Sequence, residues 1–272
     1  MSDDAPERYL LDNAQAEAGA RFAALSDLFD PSTFRHIDAL GIGPGWRCWE
    51  VGAGGRSVPE WLAARVGSGG RVLATDIDVS WLPAADVSYE VRRHDIGTDP
   101  VPEEAFDLVH ARLVLVHVPQ RAEALSTLVR SLKPGGWLLL EDADPALQPL
   151  LCPDESGPEQ VLANRLRRGF RSLMAERGVD LAYGRTLPRL LRDAGLVDVQ
   201  ADAYFPITAP GATALELATV AQVRDQLVAR GLATDAEIDE HVSNVGTRLV
   251  DLATSPMVSA WGRRGVVPAT LG

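Results

Sequence analysis

Between residues 46 and 142, short apolar runs alternate with stretches in which apolar residues recur every three or four positions. The short runs, bounded by turn residues, are typical of buried strands, and the longer spacing is typical of amphipathic helices. Strands are therefore predicted at residues 46–51, 71–76, 88–92, 106–111 and 136–141. Helices are predicted between them at residues 58–66, 79–85 and 119–132. This alternation predicts a parallel sheet covered by helices on both faces.

The regions on either side are mainly helical in pattern. Helices are predicted there at residues 9–28, 31–40, 159–177, 186–194, 213–231 and 235–253. Two segments, residues 196–205 and 257–262, have the pattern of further strands of the same sheet. The predicted fold class is α/β, with a Rossmann-like, seven-stranded, mostly parallel sheet, helices on both faces and a helical cap.

The first predicted strand ends in a glycine-rich turn that leads directly into a predicted helix. Glu50 lies near the end of this strand, and Gly52 and Gly54 can adopt the positive φ angles that let a ligand approach the backbone. A dinucleotide-binding turn would need a glycine where this chain has Ser57. An acid before the turn would repel a pyrophosphate, and it suits a cationic ligand such as S-adenosylmethionine better. A tightly packed loop without a ligand is the alternative.

Polar residues also follow the other predicted strands, at the edge where such sheets bind ligands. Asp76 lies about 20 residues beyond the glycines, the spacing at which a carboxylate accepts hydrogen bonds from ribose hydroxyls, with a helix cap as the alternative. Asp95 and Arg112 also lie at this edge, and for them a loop cap and a surface salt bridge are the respective alternatives to ligand contact. The remaining polar residues at this edge are His110, His117, Glu141, Asp142 and Asp144.

Taken together, residues 46–142 resemble the class I S-adenosylmethionine-dependent methyltransferases, in particular the branch that acts on small molecules. The glycine turn is similar to the family's first motif, and Asp76 is similar to its ribose acid. The other matching segments are His94-Asp95-Ile96, residues 106–112 and Leu132-Lys133-Pro134-Gly135-Gly136. One departure is Arg56, which stands where the family often has a third glycine.

The resemblance implies a binding role for each matching residue, with S-adenosylmethionine as cofactor and S-adenosylhomocysteine as product. The residues implied to hold the methionine end are Glu50, Gly52, Ala53, Gly54, His110, Ala111 and Arg112. The residues implied to hold the ribose and the adenine are Asp76, Ile77, Asp95 and Ile96. In this scheme Asp76 accepts from the ribose, Asp95 bonds the adenine amino group, and the His110–Ala111 backbone reaches the ligand ammonium.

The pattern and the resemblance together imply four parts along the chain. They are an N-terminal helical lid (1–45), a cofactor-binding α/β core (46–142), a cap insertion (143–185) and a segment that completes the sheet (186–272), with a helical insertion near residues 211–253. Tyr9 and Asn13 are the polar residues of interest in the lid. The alternatives to a substrate cap for the helix at 159–177 are ordinary packing and a homodimer contact.

Composition narrows the choice of partners. The formal net charge is −12, which argues against nucleic acid as the main partner because phosphate binding needs a basic face. The local basic patch on the helix at 159–177 is either a solvated face or an attractor of anionic substrates. An acidic N-terminus and the lack of a long apolar run predict no signal peptide, no membrane partner and a cytoplasmic location. Cys48 and Cys152 form neither a metal motif nor a disulfide framework.

Methyl transfer is an in-line displacement at carbon, so orientation and the exclusion of water supply much of the catalysis. An oxygen acceptor would also gain from a general base, for which His117 is the catalytic candidate. The other candidates are His110, His241 and the Glu141/Asp142 pair. A Mg²⁺ site made from Glu141, Asp142 and Asp144 is disfavoured, because adjacent strand residues point to opposite faces.

The expected function is S-adenosylmethionine-dependent methyl transfer to a small organic acceptor, with a role in secondary metabolism suggested by family analogy. The alternative is a protein that binds S-adenosylmethionine without transferring the methyl group, either as a catalyst of rearrangement or cyclisation or as a sensor. A nicotinamide oxidoreductase is a third hypothesis, which Ser57 disfavours.

Overall fold

The computed structural model describes Leu10 and residues 17–82, 85–101 and 105–266, which fall into two units. The helical unit contains the described residues of Met1–Phe29, Ala143–Ala182 and Tyr204–Met257. The sheet unit contains those of Asp30–Asp142, Tyr183–Ala203 and Val258–Gly272. Tyr9 and Asn13 lie outside the described residues.

The sheet contains seven strands. They are β1 (Arg47–Val51), β2 (Arg71–Asp76), β3 (Glu90–Arg93), β4 (Phe106–Arg112), β5 (Leu132–Ala143), β6 (Leu196–Tyr204) and β7 (Met257–Arg264). The helices of the described residues are α1 (Glu17–Ala39), α2 (Ser57–Val66), α3 (Arg121–Ser131), α4 (Pro158–Glu176), α5 (Leu187–Asp193), α6 (Pro210–Ala229) and α7 (Asp235–Gly246). None of these helices is both long enough and apolar enough to cross a bilayer.

The strand order is β3-β2-β1-β4-β5-β7-β6, and the sheet is mixed but mostly parallel, which confirms the predicted fold class. The pairs β1–β2, β1–β4, β2–β3 and β4–β5 are all parallel. Consecutive residues of β1 and β2 are buried, as expected when both faces of a sheet are covered. The direction of the strand order reverses between β1 and β4, so their carboxyl ends form the crevice in which such sheets bind ligands.

Three local predictions were wrong. The two helices predicted at 9–28 and 31–40 are replaced, within the described residues, by the continuous helix α1, which contains Pro31. Proline usually ends a helix because it lacks an N–H and its ring clashes with the preceding turn, at a cost of about 3 kcal/mol. In α1, Leu28 and Phe29 before the proline and Ile37 after it are buried, and we infer that this burial offsets the cost.

The helix predicted at 79–85 is also missing from the described part of that segment, which forms turns. Side-chain carboxylates explain this, because Asp76 accepts from the N–H of Asp78 and Asp78 accepts from that of Ser80. The third error concerns the segment between the helix predicted to end at residue 132 and the strand predicted to begin at residue 136. This segment lies inside β5, as an irregularity between the pairs Phe106–Leu132 and Leu108–Trp137.

A buried polar cluster joins α1 to the sheet within the sheet unit. Its centre is Glu141 of β5, which is 1% exposed. Oε1 of Glu141 accepts from the hydroxyl of Ser259 at 2.6 Å and lies 3.5 Å from Nδ1 of His36. Oε2 accepts from the hydroxyl of Thr33 and lies 3.2 Å from Nε2 of His110. Burial alone would raise the pKa of Glu141, but its bonds to His110 and His36 hold that pKa well below the ordinary value.

His110 links this cluster to β1. Its Nδ1 lies 2.6 Å from Oε2 of Glu50, and its ring is fully buried. Burial acts to lower the pKa of His110, but the carboxylates of Glu50 and Glu141 outweigh that effect and raise the pKa to about 9. A buried imidazolium is therefore held between two acids.

We expect the free energy of unfolding to fall on the alkaline side through the titration of His110. Because its pKa rises from 6.5 to about 9 on folding, its contribution is complete below about pH 6.5 and is lost as the pH rises through about 9. The loss should be on the order of 3 kcal/mol. Urea unfolding across this range checks it, with His110→Gln as the control that should lack the slope. Parallel pH curves for the wild type and the variant would contradict it.

Candidate functional site

The glycine turn lies where the strand order reverses, directly after β1. Gly52 has a φ of +63° and Gly54 a φ of +60°, in the left-handed region that favours glycine. A Cβ atom at Gly52 would lie 2.3 Å from Cγ2 of Val114, so the segment after β4 packs too closely on the turn to admit a side chain. Because α2 begins at Ser57, the turn and the first N–H groups of this helix lie together at the carboxyl edge of the sheet.

Asp76, at the end of β2, is hydrogen-bonded to the glycine turn. Its Oδ2 accepts from the N–H of Gly54 at 2.9 Å, and its Oδ1 accepts from that of Asp78 at 3.0 Å. Burial raises the pKa of the Asp76 carboxyl, and these two N–H groups oppose that rise. Each carboxylate oxygen has two acceptor positions, so Asp76 keeps capacity for further donors. The neighbouring Ile77 is 56% exposed.

Asp95 follows β3 at the same edge, since the N–H of the preceding residue, His94, donates to the carbonyl of Asp76 at 2.9 Å. Its Oδ1 accepts from the N–H of Gly97 at 2.8 Å, so the carboxylate also caps its own turn. Asp95 is exposed, whereas Ile96 beside it is buried. The adenine segment predicted from the sequence thus offers an accessible acid next to an apolar side chain.

Glu50 and His110 are paired positions of the parallel strands β1 and β4, and Ala111 pairs with Val51 one residue further along. Glu50 is 2% exposed, and Ala111 is buried too. Burial raises the pKa of Glu50, and the charge of His110 is the main opposing effect. The acid that precedes the glycines is therefore held by a histidine from the neighbouring strand.

Arg112 and Arg56, which lie near this edge, are both paired with carboxylates of the chain. Arg112 forms an ion pair with Asp30 at 2.9 Å and donates to the hydroxyl of Thr33 at 3.0 Å. Arg56, in the position where the family often has glycine, is exposed and lies 2.6 Å from Glu60. In these contacts neither guanidinium forms an ion pair with Glu50.

The candidate bases differ in burial. His110 and Glu141 belong to the buried polar cluster, and His241 lies in the core of the helical unit, 2.9 Å from Glu216. Asp142 is 2% exposed, and burial raises its pKa well above the ordinary value, against the effect of the Val116 N–H. His117 ends the short 3₁₀ turn Leu115–His117 and is only partly buried. Solvent and small molecules can therefore reach His117 more readily than the other four.

Metal ligation finds no support in the arrangement of the acids. Within the described ranges, no three His, Cys, Asp or Glu side chains lie close enough to hold a metal ion together. The carboxylate of Glu141 is already occupied by donors from the buried polar cluster.

The basic patch predicted on α4 is largely paired within the helical unit. The ion pairs are Arg165–Glu237 at 2.7 Å, Arg167–Glu216 at 2.7 Å and Arg168–Glu155 at 3.7 Å. These arginines therefore stabilise contacts among the elements of that unit.

Sequence reasoning missed the residues of α1 that contact the sheet. Asp30, Thr33 and His36 are buried and contact Arg112, Glu141 and Asp202. Their spacing of three residues, among the apolar Phe29, Phe34 and Ile37, was the available signal. A polar stripe inside an apolar helix face predicts buried partners, because unpaired polar groups in a core are strongly disfavoured.

Comparisons with known proteins agree with this geometry. A family model described as "Methyltransferase domain" matches residues 49–140. Methyltransferase str2 of Strobilurus tenacellus is 36% identical over 160 residues, which cover 56% of this chain and 53% of that protein. The ubiquinone/menaquinone biosynthesis C-methyltransferase UbiE of Vibrio parahaemolyticus is 30% identical over 146 residues, which cover 48% of this chain and 56% of that protein. The chain thus spans about half the length of these curated relatives.

Among solved structures, phosphoethanolamine N-methyltransferase 2 of Haemonchus contortus, in complex with phosphomonomethylethanolamine and S-adenosylhomocysteine, has a TM-score of 0.58. It is 17% identical, and the match covers 96% of this chain and 60% of that one. This similarity concerns the fold. The matched family model and the curated relatives identify residues 49–140 as a methyltransferase domain, similar to the class I S-adenosylmethionine-dependent methyltransferases.

Proposed function

We propose that this chain catalyses methyl transfer from S-adenosylmethionine to a small organic acceptor, a reaction of class EC 2.1.1. The observation that carries the proposal is the contact between Asp76 and the glycine turn, where the strand order of a parallel sheet reverses. A carboxylate, a bare backbone turn and an exposed Ile77 are the groups that a ribose, a charged amino acid end and an adenine require.

The donors and acceptors at this edge fit the cofactor. Asp76 has acceptor capacity for the ribose hydroxyls, and Ile77 offers an exposed apolar side chain to the adenine. We assign the adenine amino group to Asp95 and a supporting N–H to Ile96. We assign the methionine end to Glu50 and to the backbone of Gly52, Ala53, Gly54, His110 and Ala111, with Arg112 near its carboxylate.

When bound, S-adenosylmethionine supplies a methyl group on a cationic sulfur that leaves as a neutral thioether. The chain's contribution is then to bind, orient and exclude water, because the reacting atoms must be held in line. The glycine turn and Asp76 are held rigidly by Val114 and by backbone N–H groups, which favours precise placement. We propose that the lid (1–45) and the cap (143–185) exclude water from the reacting atoms.

We propose His117 as the general base for an oxygen acceptor. Its partial exposure, at a turn that follows β4, supports this role over the fully buried candidates. A small acceptor is supported by the name of the UbiE relative, which refers to the biosynthesis of quinones. The net charge of −12 supports a small molecule over a nucleic acid.

The proposal is tested first by calorimetry with S-adenosylmethionine, S-adenosylhomocysteine and NAD, and then by turnover. We expect binding of the first two ligands and not of NAD. We also expect S-adenosylhomocysteine to form when a panel of phenols, quinols, amines and carboxylic acids is supplied. Binding of NAD alone would contradict the proposal. Conversion of an acceptor without S-adenosylhomocysteine formation would point to a protein that uses the cofactor without transferring its methyl group.

Asp76→Asn should weaken the binding of S-adenosylhomocysteine by at least about tenfold, since hydrogen bonds to a charged group are worth about 1.5–3 kcal/mol. Asp78→Asn is the matched control in the same loop, because Asp78 accepts from Ser80 and not from the glycine turn. Calorimetry with the 2′-deoxy analogue completes the test. If Asp76 holds the ribose, removing the 2′-hydroxyl should weaken binding to the wild type, and should weaken binding to Asp76→Asn much less. If removing the 2′-hydroxyl weakens binding equally in the two proteins, Asp76 does not contact that hydroxyl.

His117→Gln should lower kcat for an oxygen acceptor by about 10²-fold or more and remove the acidic limb of its pH profile. The binding of S-adenosylhomocysteine should not change, because His117 is not assigned to the cofactor. Asp142→Asn is the rival variant. If Asp142→Asn lowers kcat and His117→Gln does not, the base is Asp142.

A further inference from the structure

The ring of His110 contacts a carboxylate at each nitrogen. Nδ1 lies 2.6 Å from Oε2 of Glu50, and Nε2 lies 3.2 Å from Oε2 of Glu141. A neutral imidazole has one N–H donor and one lone pair, so it would set that lone pair against one of the two acids. An imidazolium donates at both nitrogens. The geometry therefore calls for a positively charged His110.

The contact triad of Glu50, His110 and Glu141 carries one net negative charge when all three side chains are ionised. Glu50 and Glu141 contribute two negative charges and His110 one positive charge. Arg112 is paired with Asp30 at 2.9 Å, and Asp202 is paired with both Arg35 at 3.1 Å and His36 at 2.9 Å. From α1 and β7, Glu141 is contacted by the hydroxyls of Thr33 and Ser259, which donate to it, and by His36, whose Nδ1 lies 3.5 Å away.

The position of this net charge agrees with the cofactor site. Glu141 has its own donors and lies on the far side of the His110 ring, so it neutralises the imidazolium. Glu50 lies two residues before Gly52 and is the closest of the three to the glycine turn in sequence. Burial without His110 would favour the protonated form of Glu50, which cannot attract a cation. The state of Glu50 thus depends on its neighbour in β4.

We propose that His110 is a positioning residue that keeps Glu50 ionised and occupies its Oε2, so that Oε1 receives the ammonium group of the methionine end of the cofactor. This rests on the proposed function and adds to it a role for the His110 side chain. Glu141 supports the same role, because without its charge the imidazolium would repel the ammonium.

Two ligands separate this role from a merely structural one. S-adenosylhomocysteine carries the ammonium, whereas 5′-methylthioadenosine has the same adenosine and sulfur but lacks the amino acid end. His110→Gln, whose amide nitrogen replaces Nε2 and leaves Glu50 without its donor, should weaken the first ligand by at least about tenfold. The binding of the second should stay within about twofold, since its contacts are with the ribose and adenine residues. Equal weakening of both ligands would overturn the proposal.

Further variants grade the effect. His110→Asn places an amide near the position of Nδ1 and should recover part of the lost affinity. Glu141→Gln should weaken S-adenosylhomocysteine selectively, because it removes the charge that neutralises His110. Ser259→Ala is the matched control, as it removes a hydrogen bond to Glu141 without contacting His110 or Glu50. If none of these variants changes the ratio between the affinities for S-adenosylhomocysteine and 5′-methylthioadenosine, the role proposed for His110 is overturned.

The protonation state of His110 can also be measured directly in the wild-type protein, so this test does not depend on whether a variant folds. The ¹⁵N resonances of His110 in the complex with S-adenosylhomocysteine at neutral pH should be those of an imidazolium, and a neutral tautomer would overturn the proposal.

The outcomes of the binding experiments also separate the role of His110 from the proposed function. A protein that binds both ligands, with a ratio that His110→Gln leaves unchanged, retains the proposed function and loses this inference. A protein that binds neither ligand loses the proposed function.

Discussion

The burial of an ionised carboxylate at Glu141 is the constraint on which the sheet unit depends. A buried charge is tolerated only when it is paired and hydrogen-bonded, since its desolvation costs several kcal/mol. Glu141 has partners from α1, β4 and β7, namely Thr33, His110 and Ser259. If one of these elements moved, a donor would be lost inside the core. The need to satisfy one side chain therefore fixes the relative positions of a helix and three strands.

The same constraint reaches the ligand edge through the parallel strands. His110 lies beside Glu50 because β4 is the neighbour of β1, and that adjacency follows from the reversal of the strand order. On the other side of β1, Thr75 of β2 accepts the N–H of Ala53, and Asp76 accepts that of Gly54. The turn is thus held by both neighbours of its strand before any ligand arrives. Such preorganisation favours binding, because little conformational entropy remains to be lost.

Much of this arrangement could be predicted from the sequence, and the limits have physical causes. The core strands, Gly52 and Gly54, and Asp76 were predictable because burial and positive φ angles leave local signals. The continuity of α1 through Pro31 was not, since it depends on tertiary packing that overrides a local rule. The contact of Thr33 with Glu141 spans 108 residues, and no local pattern encodes which distant acid a helix meets. For His110, the family resemblance suggested only a role of the backbone.

A cluster of charges inside a core calls for an explanation other than stability. Replacing a buried ion pair with well-packed apolar residues is often neutral or stabilising, so stability alone does not explain the charges of Glu50, His110 and Glu141. Apolar side chains at these positions would not leave a negative charge beside the glycine turn. An ionised Glu50 in a buried strand needs a cation behind it, and that cation needs a second acid so that it does not repel a positive ligand. In the role proposed for His110, these three residues together present one negative charge at this edge, and the hydroxyls of Thr33 and Ser259 supply hydrogen bonds to the second acid.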